Sequence, residues 1–167
     1  VGTRLAQKLG LRLGDRASRE LSEPETLAAF KTFLEENSLY VFTINGFPFG
    51  PFHGAGVKEK VYHPDWQSTE RLEYTRRLFD LLAELLPEGV TGSISTVPGA
   101  FKPAVKGAAG ITRMADHLLQ CVKHAAAICS RTGREIHLGL EPEPGCFLES
   151  TDETIAFFRG LLARRDV

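Results

Sequence analysis

The chain has 167 residues, of which 43% are apolar and 25% are charged, and its formal net charge is −1. This is an ordinary globular composition that is long enough for one domain with a core, and the near-neutral charge argues against binding to nucleic acid or an anionic membrane. No apolar run reaches the roughly 18 residues of a membrane helix, and three cysteines, an odd number, argue against a disulfide framework, so a cytoplasmic protein is expected.

The first third of the chain shows two strand patterns around one helix pattern. Leucines at 9, 11 and 13 alternate with glycine or arginine, which predicts a strand. Ser22 and Glu25 have capping-box spacing, and the apolar periodicity that follows predicts a helix to about Asn37. The segment LYVFTIN (39–45) is rich in aromatic and β-branched residues and predicts a second strand.

The middle of the chain continues the same alternation. A long loop (46–66) leads to a predicted helix at about 69–86, and GSISTV (92–97) predicts a third strand. After a loop at 98–107, a helical pattern runs to Gly133, which is expected as a left-handed cap. His117 and His124 on this helix are expected at the surface.

The last predicted unit starts with EIHLGLE (135–141), a fourth strand. Ser150 and Glu153 form a second capping-box pattern, which predicts a final helix. Both ends of the chain look truncated, because it begins with Val1 and ends at Val167 inside a helical pattern. No domain boundary is visible.

Strands separated by helices must pair in parallel, which leaves two architectures: an open doubly wound sheet or part of a (β/α)8 barrel. The sequence contains no GxxxxGK[ST] loop, no GxGxxG turn between strand and helix, and no GxSxG elbow. The sequence therefore lacks the motifs that form the phosphate site of a nucleotide-binding open sheet and the catalytic site of an α/β-hydrolase. This favours the barrel.

Alternation within the strands predicts which side chains share a face. If the bulky residues face the helices, Thr43, Asn45, His137 and Glu141 share the inner face, and Asn45 and Glu141 stand at the carboxyl ends of their strands. A barrel has its active site at that end. The alternative for Glu141 is a solvated acid at a strand end, and Glu143 is either a second carboxylate of the site or a surface charge.

The loops supply further candidates for substrate contact. His53, Lys58 and Trp66 lie in the long loop after the second strand, and Lys102 lies in the loop after the third. A structureless loop of about twenty residues in a compact domain is typically functional or disordered, and its aromatic content argues against disorder. The alternatives are a histidine held by backbone hydrogen bonds and lysines that are simply solvated.

Three segments resemble one family. LYVFTINGFPFGPFHGAGVKEKVYHPDW, GSISTVPGAFK and LGLEPEPGCFLEST together resemble the EboE family of metabolite traffic proteins. That family belongs to the xylose isomerase-like barrel superfamily of sugar isomerases and epimerases, which also includes endonuclease IV. The resemblance runs from about Gly10 to Phe158.

The resemblance implies that residues 1–167 are a single fragment of such a barrel domain, truncated at both ends, whose four βα units correspond to strands 2–5. The unpaired parallel edges of a half barrel would make self-association through those edges a risk.

The resemblance also implies a function. The glutamate that ends the fifth strand in the superfamily is a divalent-metal ligand, and it corresponds to Glu141. The metal would be Mn, Mg, Co or Zn, bound only in the complete barrel because its other ligands lie on later strands. The expected function is a metal-dependent isomerase- or epimerase-like protein that handles a small polyol-like metabolite. Glu141 and Glu143 are then the catalytic carboxylates, and the substrate-binding residues are Asn45, His53, Lys58, Trp66 and Lys102.

Two other functions remain open. The first is a non-catalytic protein that binds or traffics a metabolite and has kept the barrel. The second is an endonuclease IV-like nuclease, which the near-neutral charge and the lack of a basic stripe disfavour. The expected partner is therefore a small molecule and not a nucleic acid.

Overall fold

The computed structural model describes residues 14–50 and 60–164. The strand predicted around the leucines at 9, 11 and 13 lies outside these residues, and so do His53 and Lys58. Within the described ranges, no helix combines the length and the apolar character that crossing a membrane requires.

The described chain alternates helices and strands. The helices are α1 (Asp15–Ser22), α2 (Pro24–Glu36), α3 (Thr69–Leu85), α4 (Gly107–Thr132) and α5 (Thr151–Leu162). The strands are β1 (Thr43–Asn45), β2 (Gly92–Thr96) and β3 (Ile136–Leu140). Single 3-10 turns are present at Lys60–Tyr62 and Lys102–Ala104.

The three strands form a parallel sheet in the order β1-β2-β3. Thr43 pairs with Ser93, and Ser93 pairs with His137, so the register continues across all three strands. The order follows the chain because α3 and α4 are the crossovers between neighbouring parallel strands. The protein is thus mixed α/β, with a small parallel sheet; the partial barrel with four βα units stays a prediction.

One face of the sheet is closed by α3 and α4. Ile94 in the centre of β2 and Ile136 at the start of β3 are buried in one core cluster with Leu78 and Leu82 of α3. The packing is close enough that a Cβ atom on Gly92 would lie 3.1 Å from Leu82 and 3.2 Å from Ile136. The apolar residues of the strands therefore face the helices, as the alternation predicts.

The opposite face of the sheet is not covered by the described residues. A Cβ atom on Gly139 would meet only the backbone oxygen of Ile94, at 3.9 Å. Thr43 and His137 on this face are exposed, and Ser93 is half-buried. We call this surface the open face; it is polar, whereas the opposite face is apolar.

The start of the second predicted strand is wrong. Only Thr43–Asn45 of the segment 39–45 is strand, although Phe42 already accepts a hydrogen bond from the Ser93 amide at 3.0 Å. Alternation puts Tyr40 and Phe42 on the same face as Ile44, the face that packs against the helices, but they are 60% and 51% exposed. Their alternation matched a buried strand, but no described helix packs over this end of the segment.

The capping box predicted at Ser22 is also wrong, whereas the later cap predictions are confirmed. Ser22 is the last residue of α1, and its hydroxyl donates to the Ser18 carbonyl. Gly133 ends α4 in the left-handed conformation, with a φ of 69°. Ser150 and Glu153 form a complete reciprocal capping box at the start of α5.

Arg71 of α3 joins the helix to the loop that follows β1. Its side chain is completely buried, and it donates to the carbonyl oxygens of Gly46, Phe47 and Pro64 at 2.7, 3.1 and 2.7 Å. Burial lowers the pKa of Arg71 to about 10, so the group is still charged at neutral pH. A planar guanidinium can satisfy three carbonyls at once, which a lysine cannot do in the same geometry.

We predict that Arg71→Met lowers the free energy of unfolding by about 3 kcal/mol or more, because two buried carbonyls and one half-buried carbonyl lose a charged donor. Urea unfolding followed by circular dichroism measures the change. The matched control is Arg113→Met on the exposed side of α4, which should alter stability by less than about 0.5 kcal/mol. Equal effects of the two substitutions would contradict the structural role of Arg71.

Candidate functional site at the carboxyl edge of the sheet

The open face carries a row of polar side chains across the middle of the sheet. Thr43, Ser93 and His137 are neighbours in the parallel register, and the hydroxyl oxygens of Thr43 and Ser93 are 2.9 Å apart, within hydrogen-bonding distance. The row presents two hydroxyl groups and one imidazole on the surface that the helices leave open.

A second row lies two residues further along the strands and consists of Asn45, Ser95 and Gly139. The Asn45 side-chain oxygen accepts a hydrogen bond from the Phe47 amide at 2.9 Å, which shapes the turn that leaves β1. Its amide nitrogen makes no hydrogen bond to the residues that the structure describes. Asn45 can therefore donate to a ligand without giving up its structural contact.

Glu141 follows β3 at the carboxyl edge of the sheet. Its amide donates to the Thr96 carbonyl at 3.0 Å, so the β-ladder continues one residue beyond the strand. Alternation then places the Glu141 side chain on the face of His137 and Gly139. The register agrees with the predicted sharing of one face by Thr43, Asn45 and His137, and the position of the Glu141 side chain on that face stays a prediction. Glu141 is half-buried, and its carboxylate makes no hydrogen bond or ion pair to residues 14–50 or 60–164.

Glu143 has a different environment from Glu141, although only Pro142 separates them. One carboxylate oxygen of Glu143 accepts a hydrogen bond from the Tyr62 hydroxyl at 2.8 Å. The Glu143 amide also donates to the Leu148 carbonyl, which closes the turn after β3. Of the two predicted catalytic carboxylates, one is thus unpaired within the described chain and the other is fixed by a tyrosine.

Tyr62 packs between two phenylalanine rings at this edge of the sheet. Its ring is stacked parallel on Phe101, with centroids 5.6 Å apart, and meets the Phe47 ring edge-on at 5.8 Å. Burial, followed by the hydrogen bond to Glu143, raises the pKa of Tyr62 above its usual range. Cys146 also lies beside Tyr62, and burial raises the pKa of its thiol, so Cys146 is a packed neutral group rather than a nucleophile.

Trp66 is placed in the core and not on the open face, which does not support its predicted role in substrate binding. Its side chain is completely buried. Its amide donates to the Gly99 carbonyl at 3.0 Å, and its carbonyl is 2.8 Å from Nδ1 of His117. His117 is therefore buried against the backbone of Trp66, and its expected surface position is wrong. His124 is half-buried and 2.8 Å from an Asp80 oxygen.

Lys102 is exposed, but its ammonium group is already paired. It lies 2.7 Å from a carboxylate oxygen of Glu149 and 2.7 Å from one of Glu153. These bonds raise the pKa of Lys102, and the same ammonium group, with backbone amides, lowers the pKa of Glu153 to about 2. The arrangement fastens the loop after β2 to the start of α5. A substrate anion would have to displace two carboxylates to reach Lys102.

Sequence reasoning missed the importance of Ser93, Ser95 and Tyr62. The two serines flank Ile94 in the segment SIS, and their alternation alone places them beside Thr43 and Asn45 once the register is known. Tyr62 had no such signal, because its partners Phe101 and Glu143 follow other strands and lie 39 and 81 positions away in the chain.

A separate open cleft of about 640 Å³ lies between the loops that follow β1 and β2. It is lined in part by His63, Asp65, Gln67 and Lys106. The Gln67 amide nitrogen donates to Asp65 and to the Ala104 carbonyl, while its oxygen accepts from the Lys106 amide. The polar groups at its centre thus satisfy one another, and the chemistry of the open face is the better candidate.

The described residues do not by themselves form a metal centre, because they contain no group of three or more histidine, cysteine, aspartate or glutamate side chains placed to hold an ion. Glu141 could contribute one ligand. A single carboxylate does not satisfy the coordination of any of the four expected metals.

Comparisons with protein-family models, with curated proteins and with solved structures found no match to this chain. The resemblance to the EboE family and its barrel superfamily therefore stays a prediction from the three sequence segments.

We predict that Tyr62 ionises well above pH 10, the usual value for tyrosine. The difference in phenolate absorbance between the unchanged protein and Tyr62→Phe isolates its titration. Glu143→Gln should lower the pKa of Tyr62 only in part, because burial is the larger cause. Because the unfolded chain releases this proton first, stability should fall as the pH rises above 10. If Tyr62 titrated at pH 10 while circular dichroism still showed folded protein, its predicted burial and its hydrogen bond to Glu143 would be contradicted.

We also predict that Glu153 titrates near pH 2, as its pairing with Lys102 and its capping hydrogen bonds indicate. Its contribution to stability should be present above its usual pKa of about 4.3 and disappear as the pH falls toward 2. Carbon-13 NMR of the carboxyl groups measures the titration. Lys102→Met should raise the pKa of Glu153, whereas Lys106→Met, which removes another exposed lysine, should not.

Proposed function

We propose that this chain contributes the carboxyl edge of a metabolite-binding site in an isomerase- or epimerase-like barrel that handles a small polyol-like compound. The observation that carries the proposal is the open face, where two rows of hydroxyl, amide and imidazole groups lead to the unpaired carboxylate of Glu141. A parallel sheet normally has both faces covered and apolar. A polar face at this position suits a ligand-binding interior better than a packed core.

The open face offers complementary chemistry for a compound with several hydroxyl groups. Serine and threonine hydroxyls both donate and accept hydrogen bonds, the Asn45 amide donates, and a carboxylate only accepts. Glu141 is the residue on this face that is best suited to accept a proton or to bind a metal. His137 lies two strand positions before it on the same face.

The metal dependence is part of this proposal and needs ligands other than the described residues. Glu141 is the ligand that this chain would supply. The other ligands would have to come from elsewhere in the complete protein, so we assign no reaction step to a metal. All three cysteines are free, in keeping with the reducing cytoplasm in which we place this function.

Self-association through the outer edges of β1 and β3 is likewise proposed.

A non-catalytic metabolite-binding or trafficking protein is the second candidate. It is favoured by Glu143, whose carboxylate is held by Tyr62. Binding of a polyol without turnover would separate this function from the first.

We predict that Glu141→Gln in the complete protein reduces Mn²⁺ binding at least tenfold and abolishes any turnover of ketose substrates, because the amide removes the charge that binds the ion. Isothermal titration calorimetry with Mn²⁺ and a ketose panel are the measurements. The control is Glu88→Gln, which changes an exposed acid in the turn before β2 and should leave both unchanged. Unaltered Mn²⁺ affinity in Glu141→Gln would refute the ligand role.

A further inference from the structure

Tyr62 connects the loops that follow all three strands. The tyrosine itself and Phe47 belong to the loop after β1, Phe101 to the loop after β2, and Glu143 to the loop after β3. Two ring contacts and one hydrogen bond therefore fix the Tyr62 side chain from three separate segments. A side chain held in this way is rigid enough to orient a neighbour.

The backbone that carries Glu143 is fixed as well. The Phe147 amide donates to the Ala100 carbonyl at 2.8 Å, and the Lys102 amide donates to the Gly145 carbonyl at 2.9 Å. Gly145 has a φ of 76°, and a Cβ atom there would lie 3.2 Å from the Phe101 ring. The loop after β3 is thus pinned to the loop after β2 directly beside the aromatic stack.

The Glu143 carboxylate is only partly used by these contacts. A carboxylate offers about four lone-pair positions, and the Tyr62 hydroxyl occupies one of them, on Oε2. The other oxygen, Oε1, makes no hydrogen bond to the described part of the chain. Two residues of extended chain span at most about 7 Å, so this oriented oxygen belongs to the same edge as Glu141.

We infer that Tyr62 is a positioning residue that holds Glu143 so that its second oxygen accepts a hydrogen bond from a hydroxyl group of a linear or cyclic polyol. This inference rests on the proposed function and names the group that recognises the ligand. The carboxylate accepts from the hydroxyl, and the half-buried rings of Tyr62 and Phe101 offer an apolar surface to the carbon chain beside it. Glu143 then selects the ligand, while Glu141 remains the carboxylate available for chemistry.

The test uses the complete protein and a series of unbranched sugar alcohols from glycerol to sorbitol, with binding measured by calorimetry. Tyr62→Phe keeps the ring contacts and removes only the hydroxyl, so affinity for the best sugar alcohol should fall about tenfold. The matched control is Tyr40→Phe, which removes a hydroxyl from an exposed tyrosine and should leave affinity unchanged.

A double-mutant cycle separates positioning from general packing. If Tyr62 acts through Glu143, Tyr62→Phe should weaken binding in the unchanged protein but not in Glu143→Ala, so the two losses should not multiply. Losses that multiply in full would overturn the positioning role. The role would also fail if Tyr62→Phe bound as tightly as the unchanged protein while Glu141→Gln lost function, an outcome that leaves the proposed function standing. Absence of sugar-alcohol binding in the unchanged protein would overturn both.

Discussion

The parallel register of three short strands is the constraint on which the candidate site depends. Because equivalent positions of β1, β2 and β3 lie side by side, one face collects Ile44, Ile94 and Leu138 and the other collects Thr43, Ser93 and His137. A shift of one residue in any strand would move its polar residues against α3 and α4 and its apolar residues onto the open face. Burial of Ile94 and Ile136 in the helix-facing core thus also fixes the polar rows.

Two side chains hold the loops that follow the strands in fixed positions. Arg71 donates to the carbonyls of Gly46 and Phe47 directly after β1, where the Gly46 amide still donates to Ser95 of β2. Tyr62 then joins the same loop to the segments after β2 and β3. The carboxyl edge is consequently held by one buried charge and one aromatic stack. Both interactions link segments far apart in sequence, so local sequence patterns do not contain them.

Local physics explains which features could be predicted. The strand GSIST, the left-handed Gly133 and the capping box of Ser150 and Glu153 follow from patterns within a few residues, and the structure contains all three. The failures arise from tertiary context. Tyr40 and Phe42 have a strand pattern, but no described helix packs over them. Trp66 lies in an aromatic-rich loop that suggested substrate binding, but its side chain packs into the core. Alternation predicts that Asn45 shares a face with Thr43, and the register of β1 agrees with this, while Tyr62 could be found only from the fold.

The two acids that end the third strand show how one short segment can give two carboxylates different roles. The ladder bond from the Glu141 amide to Thr96 keeps that residue in strand geometry, so its side chain is directed by the pleat and not by a polar partner. After Pro142 the chain leaves the sheet, and Glu143 turns to the half-buried Tyr62, whose hydrogen bond restricts its orientation. Rigid orientation favours recognition of a fixed hydrogen-bond geometry, whereas an unpaired carboxylate is free to bind a cation or accept a proton. The prolines after each acid, by fixing the backbone direction, help to keep these environments distinct.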